Sequence, residues 1–115
     1  MITIYHNPRC RKSREGLAIV EASEKPFKVI PYLNEVPTKN ELKNLVKKLG
    51  IKPIAMVRTN ETLWKEHFKG KDLSEDDILD AMVSFPKLIE RPIVISGDKA
   101  VIGRPPEKIR DLLAL

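Results

Sequence analysis

Apolar and polar positions alternate at the start of the chain. Ile2 and Ile4 flank Thr3, which predicts a short strand over residues 2–5. A polar stretch follows, and then Leu17, Ala18, Val20 and Ala22 fall at helical spacing, predicting a helix over 12–23. Lys28–Tyr32 reads as a second strand, with Pro31 marking an edge or a strand end. Thr38 with Glu41 three residues on is the signature of a capping box. Leu42, Leu45, Val46 and Leu49 supply the apolar face behind it, and Gly50 stops the helix. Ile54, Ala55 and Val57 suggest another helical segment ending near Arg58, and the charged stretch 60–71 reads as loop with a short helix around Trp64. Ser74 and Asp77 open a further helix with Ile78, Leu79, Met82 and Val83 inward, closed by Pro86. Pro92–Ser96 is expected as a buried strand and Ala100–Ile102 as its partner, joined by a turn at Gly97-Asp98. Pro105 and Pro106 start a last helix carrying Ile109, Leu112 and Leu113.

The element order is therefore β-α-β, a helical insertion, then β-β-α, an α/β chain with a mixed sheet flanked by helices. Its 115 residues suit one domain, and neither an internal repeat nor a low-complexity linker divides it. No run approaches the roughly eighteen consecutive apolar residues of a membrane span, and Met1–Tyr5 leads straight into polar sequence without a cationic-then-apolar leader. No membrane partner is expected, and a cytoplasmic setting is the default. The net charge of +5 is compatible with nucleic acid, with a small anion, or with solvated helix faces such as Lys43, Lys47 and Lys48. Aromatic residues are only 5% and scattered, which argues against a base-stacking platform, so no nucleic-acid partner is expected. His6 and His67 form no ligand-spaced cluster with the cysteine, so no metal is expected either.

The chain has a single cysteine, Cys10, set where the first strand turns into the first helix. Free backbone N–H groups and the helix dipole at such a position favour an anion. They can hold a thiol pKa well below its ordinary value of about 8.5. Arg9, Arg11, Lys12 and Arg14 crowd the same segment. An inert core cysteine rarely has arginine on both sides, so the segment reads as a reactive thiolate beside an anion site. With no second cysteine, any redox cycle must take its second thiol from outside the chain. Ser13 occupies the second position of a would-be Cys-x-x-Cys pair, which excludes a self-contained dithiol. Gly16 stands where a phosphatase-like Cys-x-x-x-x-x-Arg loop would need arginine.

Five motifs in order resemble the arsenate reductase family of ArsC type. They are Ile4-Tyr5-His6-Asn7-Pro8 before Cys10, Cys10-x-x-Ser13-Arg14, Arg58-x-Asn60, Glu90-Arg91-Pro92-Ile93-Val94, and Gly103-Arg104-Pro105. The resemblance runs over essentially the whole chain. It implies a single thioredoxin-like domain over 1–115 with a helical insertion at about 38–85, and a cis peptide bond before Pro92. Cys10 is implied as the nucleophile that attacks arsenate. Arg58, Arg91 and Arg104 are implied as ligands of the oxyanion and of its covalent adduct, and His6, Ser13 and Arg14 as groups that keep Cys10 ionised. Glutathione then acts as co-substrate, displacing the first adduct, and glutaredoxin releases arsenite; no bound cofactor is implied.

Arginine suits this work because its planar fork matches a tetrahedral oxyanion and stays charged when partly buried. Taken singly, each of the three arginines also reads as a solvated surface residue. His6 reads equally as a structural hydrogen-bonding residue, Asn7 and Ser13 as turn and cap residues, and Arg14 as a helix-face charge. Arg11-Lys12 replaces the small neutral residues usual after the family cysteine, and resembles a branch without an established arsenate activity. Two alternatives share the fold: an Spx-like regulator that binds RNA polymerase, and a monothiol glutathione-dependent thiol transferase.

Overall fold

A computed structural model describes all residues, 1–115. The elements run β1 (Ile2–Tyr5), α1 (Arg11–Ala22), β2 (Phe27–Ile30), α2 (Lys39–Leu49), α3 (Thr62–His67), α4 (Glu75–Ser84), β3 (Ile93–Ser96), β4 (Lys99–Ile102) and α5 (Glu107–Leu113). They form two compact units. The first joins Met1–Glu35 to Arg91–Leu115, and the second is Val36–Glu90.

The first unit holds a four-stranded sheet in the order β2-β1-β3-β4. β1 runs parallel to β2 and antiparallel to β3, and β3 pairs antiparallel with β4. This is the mixed α/β arrangement of the thioredoxin-like fold. The alternation in β1 sends Ile2 and Ile4 into a core with Ile19 and Val20 of α1, Val94 of β3, and Ile109 and Leu113 of α5. Register then decides what gathers at one end of the sheet. Tyr5 pairs with Ile30 and with Ile93, and Ile93 with Ile102. The chain leaving β1, leaving β2, entering β3 and leaving β4 therefore meets at the same end, bringing the Cys10 turn, Tyr32, Arg91 and Arg104 together.

Two glycines permit that convergence. A methyl group at Gly16 would lie 2.7 Å from Pro92 Cγ, and one at Gly103 would lie 2.6 Å from Ile109 Cδ1 and 3.0 Å from Pro92 Cγ. The absence of side chains there lets the loop before β3 sit against α1. Both the Arg91–Pro92 and the Arg104–Pro105 peptide bonds are cis.

The second unit is helical. Both of its longer helices begin with reciprocal capping boxes, Thr38 with Glu41 and Ser74 with Asp77. Gly50 ends α2 in the left-handed conformation at φ 66°. Leu42 and Leu45 of α2 and Ile78, Leu79, Ala81 and Met82 of α4 are buried, and the two helices pack together. The segment expected as a helix around Ile54 is a 3₁₀ turn, Pro53–Met56, because four residues opened by a proline are too few for α-helical bonding. Val83, expected inward, is only half-buried. Trp64 of α3 is buried and stacks on Phe68 with ring centroids 5.1 Å apart. No helix in the chain is long and apolar enough to cross a membrane.

Candidate active site

Asn7-Pro8-Arg9-Cys10 form the tight turn between β1 and α1. The Cys10 N–H donates to the Asn7 carbonyl at 3.0 Å, and the Asn7 side-chain carbonyl accepts from the Arg9 N–H at 3.0 Å. Proline second and asparagine first are the residues such a turn favours. Cys10 has extended backbone angles and is the N-cap of α1. Ser13 is wholly buried one turn into the helix, and its Oγ lies 2.9 Å from the Asn7 N–H and 2.7 Å from His6 Nδ1. The oxygen accepts from Asn7, leaving its own proton for Nδ1 of a neutral imidazole. Burial, chiefly, holds the His6 pKa below its usual value, which keeps the ring neutral. His6, Asn7 and Ser13 thus lock the turn through one hydroxyl. Arg14 adds a brace by donating from Nη1 to the Pro8 carbonyl at 3.0 Å.

Cys10 itself is partly exposed. Burial alone would raise its pKa. The Arg91 guanidinium beside the sulfur outweighs that effect, together with the backbone N–H groups of Ser13 and Lys12, so the thiol pKa falls below its ordinary value. Arg104 approaches from the other strand, with Nη2 3.5 Å from Sγ, and its Nε donates to the Arg91 carbonyl at 2.8 Å. Arg91 supplies the main pull on the thiol pKa, and Arg104 makes the close side-chain contact with the sulfur.

The cations nearest in sequence do otherwise. Arg11 and Lys12 pair with Glu15 at 3.3 and 3.8 Å on the outer face of α1. Arg9 is exposed. The positive environment inferred from the cysteine's immediate neighbours comes instead from two arginines distant in sequence, one just before β3 and one just after β4. An open cavity of about 340 Å3 lies beside the turn, lined by His6, Asn7, Pro8, Arg9, Pro31, Leu33 and Asn34. No group of three His, Cys, Asp or Glu side chains is arranged to hold a metal ion.

The model of the ArsC family matches residues 5–112, nearly the whole chain. The chain belongs to the ArsC family. It is 45% identical to a protein of Haemophilus influenzae named "Arsenate reductase", over 97% of this chain and 98% of that one. It is 41% identical to the "Uncharacterized protein YfgD" of Escherichia coli (strain K12), over 97% and 96%. Among solved structures it is similar to "Arsenate reductase from Vibrio cholerae", with a TM-score of 0.91 and 46% identity, covering 96% of this chain and 95% of that one.

Of the residues singled out in the sequence, this ArsC chain brings Cys10, Arg91, Arg104, His6, Asn7 and Ser13 to one end of the sheet, with Pro92 following Arg91 at the mouth of β3. Arg58 lies in the second unit. There its Nε is 3.6 Å from Glu90 and its Nη1 is 3.6 Å from Glu61, and its backbone N–H donates to Leu88 at 2.7 Å. It is a half-buried, carboxylate-flanked cation, a setting its sequence neighbours did not reveal.

One residue of the site was not singled out at all. Tyr32, just past β2, is wholly buried within electrostatic reach of Arg91, Asn7 and Cys10, and burial pushes its phenol pKa up. The available signal was topological. β1 and β2 are parallel, so an aromatic two residues past the end of β2 lies beside the turn that follows β1.

Proposed function

We propose that the chain is a thiol-dependent oxyanion reductase that converts arsenate to arsenite. The observation that carries this reading is a single partly exposed cysteine of lowered pKa, faced by the guanidinium groups of Arg91 and Arg104. The likeness to relatives named arsenate reductase supplies the substrate.

In this reading the Cys10 thiolate attacks arsenic. A sulfur–arsenic bond forms, an arsenic–oxygen bond breaks, and the departing oxygen leaves as water after protonation, with arsenic still at oxidation state five. Arg91 and Arg104 bind the oxygens, a task for which forked cationic donors are suited. His6, Asn7, Ser13 and Arg14 act on the sulfur through the turn they hold. Reduction to arsenite requires two electrons, and Cys10 has no partner cysteine in the chain. Two outside thiols therefore supply them, becoming one disulfide. Glutathione and glutaredoxin fill these roles.

The test is NADPH oxidation coupled through glutathione, glutathione reductase and glutaredoxin. Turnover is expected only when arsenate is present, and a folded Cys10→Ser variant is expected to show none. Full turnover in that variant would remove the nucleophile from the scheme. Reduction of a glutathione mixed disulfide without any arsenate dependence would instead identify a thiol transferase.

A further inference from the structure

Buried polar side chains nearly always have hydrogen-bond partners, and exceptions in a native fold call for a reason. Three buried side-chain atoms here have none: Tyr32 Oη, Arg58 Nη1 and Arg91 Nε. Two of them, on Tyr32 and Arg91, belong to the unit that carries Cys10. Tyr32 shows no solvent exposure, so water outside the protein does not satisfy it. Its ring lies where Arg91, Asn7 and Cys10 all act on the phenol. Arg91 Nε is a donor only. The phenol stays protonated in its buried setting and donates as well. Two buried donors without acceptors, on residues that act on each other and on Cys10, are what an oxygen of a bound anion would satisfy.

We infer that Tyr32 is an anion-binding residue of this site, its hydroxyl donating to an oxygen of the tetrahedral oxyanion that Arg91 holds against Cys10. The inference rests on the reading of Cys10 as the site of an oxyanion and adds a neutral donor to the charged ones. The contact needs no proton transfer and no change in the thiol.

The test measures how arsenate protects Cys10 from iodoacetamide. In Tyr32→Phe the arsenate concentration giving half protection is expected to rise about tenfold, the loss of one hydrogen bond to a charged acceptor. The alkylation rate without arsenate is expected to stay near that of the wild type. An unchanged half-protecting concentration would overturn the role of Tyr32 while leaving the oxyanion site standing. Failure of arsenate, phosphate and sulfate alike to protect the wild type would overturn the oxyanion reading, and this inference with it. A second measurement needs no variant to be stable. The chain has two tyrosines, so ring-labelled 13C tyrosine gives two hydroxyl-bearing carbon signals. Arsenate is expected to shift that of Tyr32 and not that of Tyr5, and a stationary Tyr32 signal would refute the contact.

Discussion

The N-termini of α1 and α4 solve the same electrostatic problem in opposite ways. Each exposes backbone N–H groups and the positive end of a helix dipole. At α4 the chain supplies its own anions: Ser74 and Asp77 close a capping box, and Glu75, Asp76 and Asp77 fill the first turn. At α1 the first turn holds no acidic residue, and the N-cap is Cys10. Two guanidinium groups, from the loop before β3 and the turn after β4, then add positive charge instead of cancelling it. A helix that only needs to be stable neutralises its start. In the proposed reading, α1 leaves its start short of negative charge so that the Cys10 sulfur and a bound oxyanion complete it.

The contrast is most easily broken at Arg91. Replacing its fork by a point charge in Arg91→Lys is expected to weaken arsenate protection of Cys10 by ten- to a hundredfold, the scale of about 1.5–3 kcal/mol for hydrogen bonds to charged groups. The same variant should move the alkylation pH profile of Cys10 upward. The sign of the linked stability follows from the lowered thiol pKa. Between the folded value and the unfolded value near 8.5, the unfolded chain binds more protons, so stability rises with pH. The contribution is complete above the unfolded value and is lost as pH falls through the folded one. Chemical denaturation of wild type and Cys10→Ser across pH should show the difference growing through that window and growing less in the Arg91→Lys background. A flat difference would mean that α1 starts no differently from α4.

A smaller effect is expected from Gly16→Ala. The added methyl meets Pro92, an overpacking cost of about 1–3 kcal/mol, set against a helix-propensity gain of about 1 kcal/mol. Lower stability with a raised Cys10 pKa would tie the charge on the sulfur to the close approach of α1 and the loop before β3. A more stable protein with an unmoved thiol pKa would separate the two.

The smallest is Ser74→Ala at α4. It should cost about 1 kcal/mol of stability and leave both the thiol pKa and arsenate protection where they were. Any response of Cys10 to Ser74 would show that the two helix starts are not independent devices.

How much could be read in advance follows the same divide. The start of α4 was legible because every part of it is local: Ser74 and Asp77 are three residues apart, as are Thr38 and Glu41, and Gly50 sits next to the end of α2. The Cys10 turn was legible for the same reason, in Asn7, Pro8 and the cysteine itself. The charges around the sulfur were not. Local sequence pointed to Arg11 and Lys12, but their side chains point along the solvent face of α1, one turn from Glu15. Arg104 lies 94 residues from Cys10 and reaches it only through strand register. The five ordered motifs pointed to Arg91 and Arg104 where local spacing could not. They said nothing of Tyr32, whose burial depends on the parallel pairing of β1 with β2. Nor did they anticipate the two carboxylates around Arg58 or the cis bond at Arg104–Pro105.

The bond from Arg104 Nε to the Arg91 carbonyl makes the two arginines a single jaw. Arg104 is tied to the backbone of Arg91, so Arg104 cannot be retuned in isolation. A change that lengthens or redirects Arg104 also releases the peptide that aims Arg91. In the proposed reading, altering which anion the site prefers starts from the Arg91 side chain, because a change at Arg104 disturbs both arginines at once.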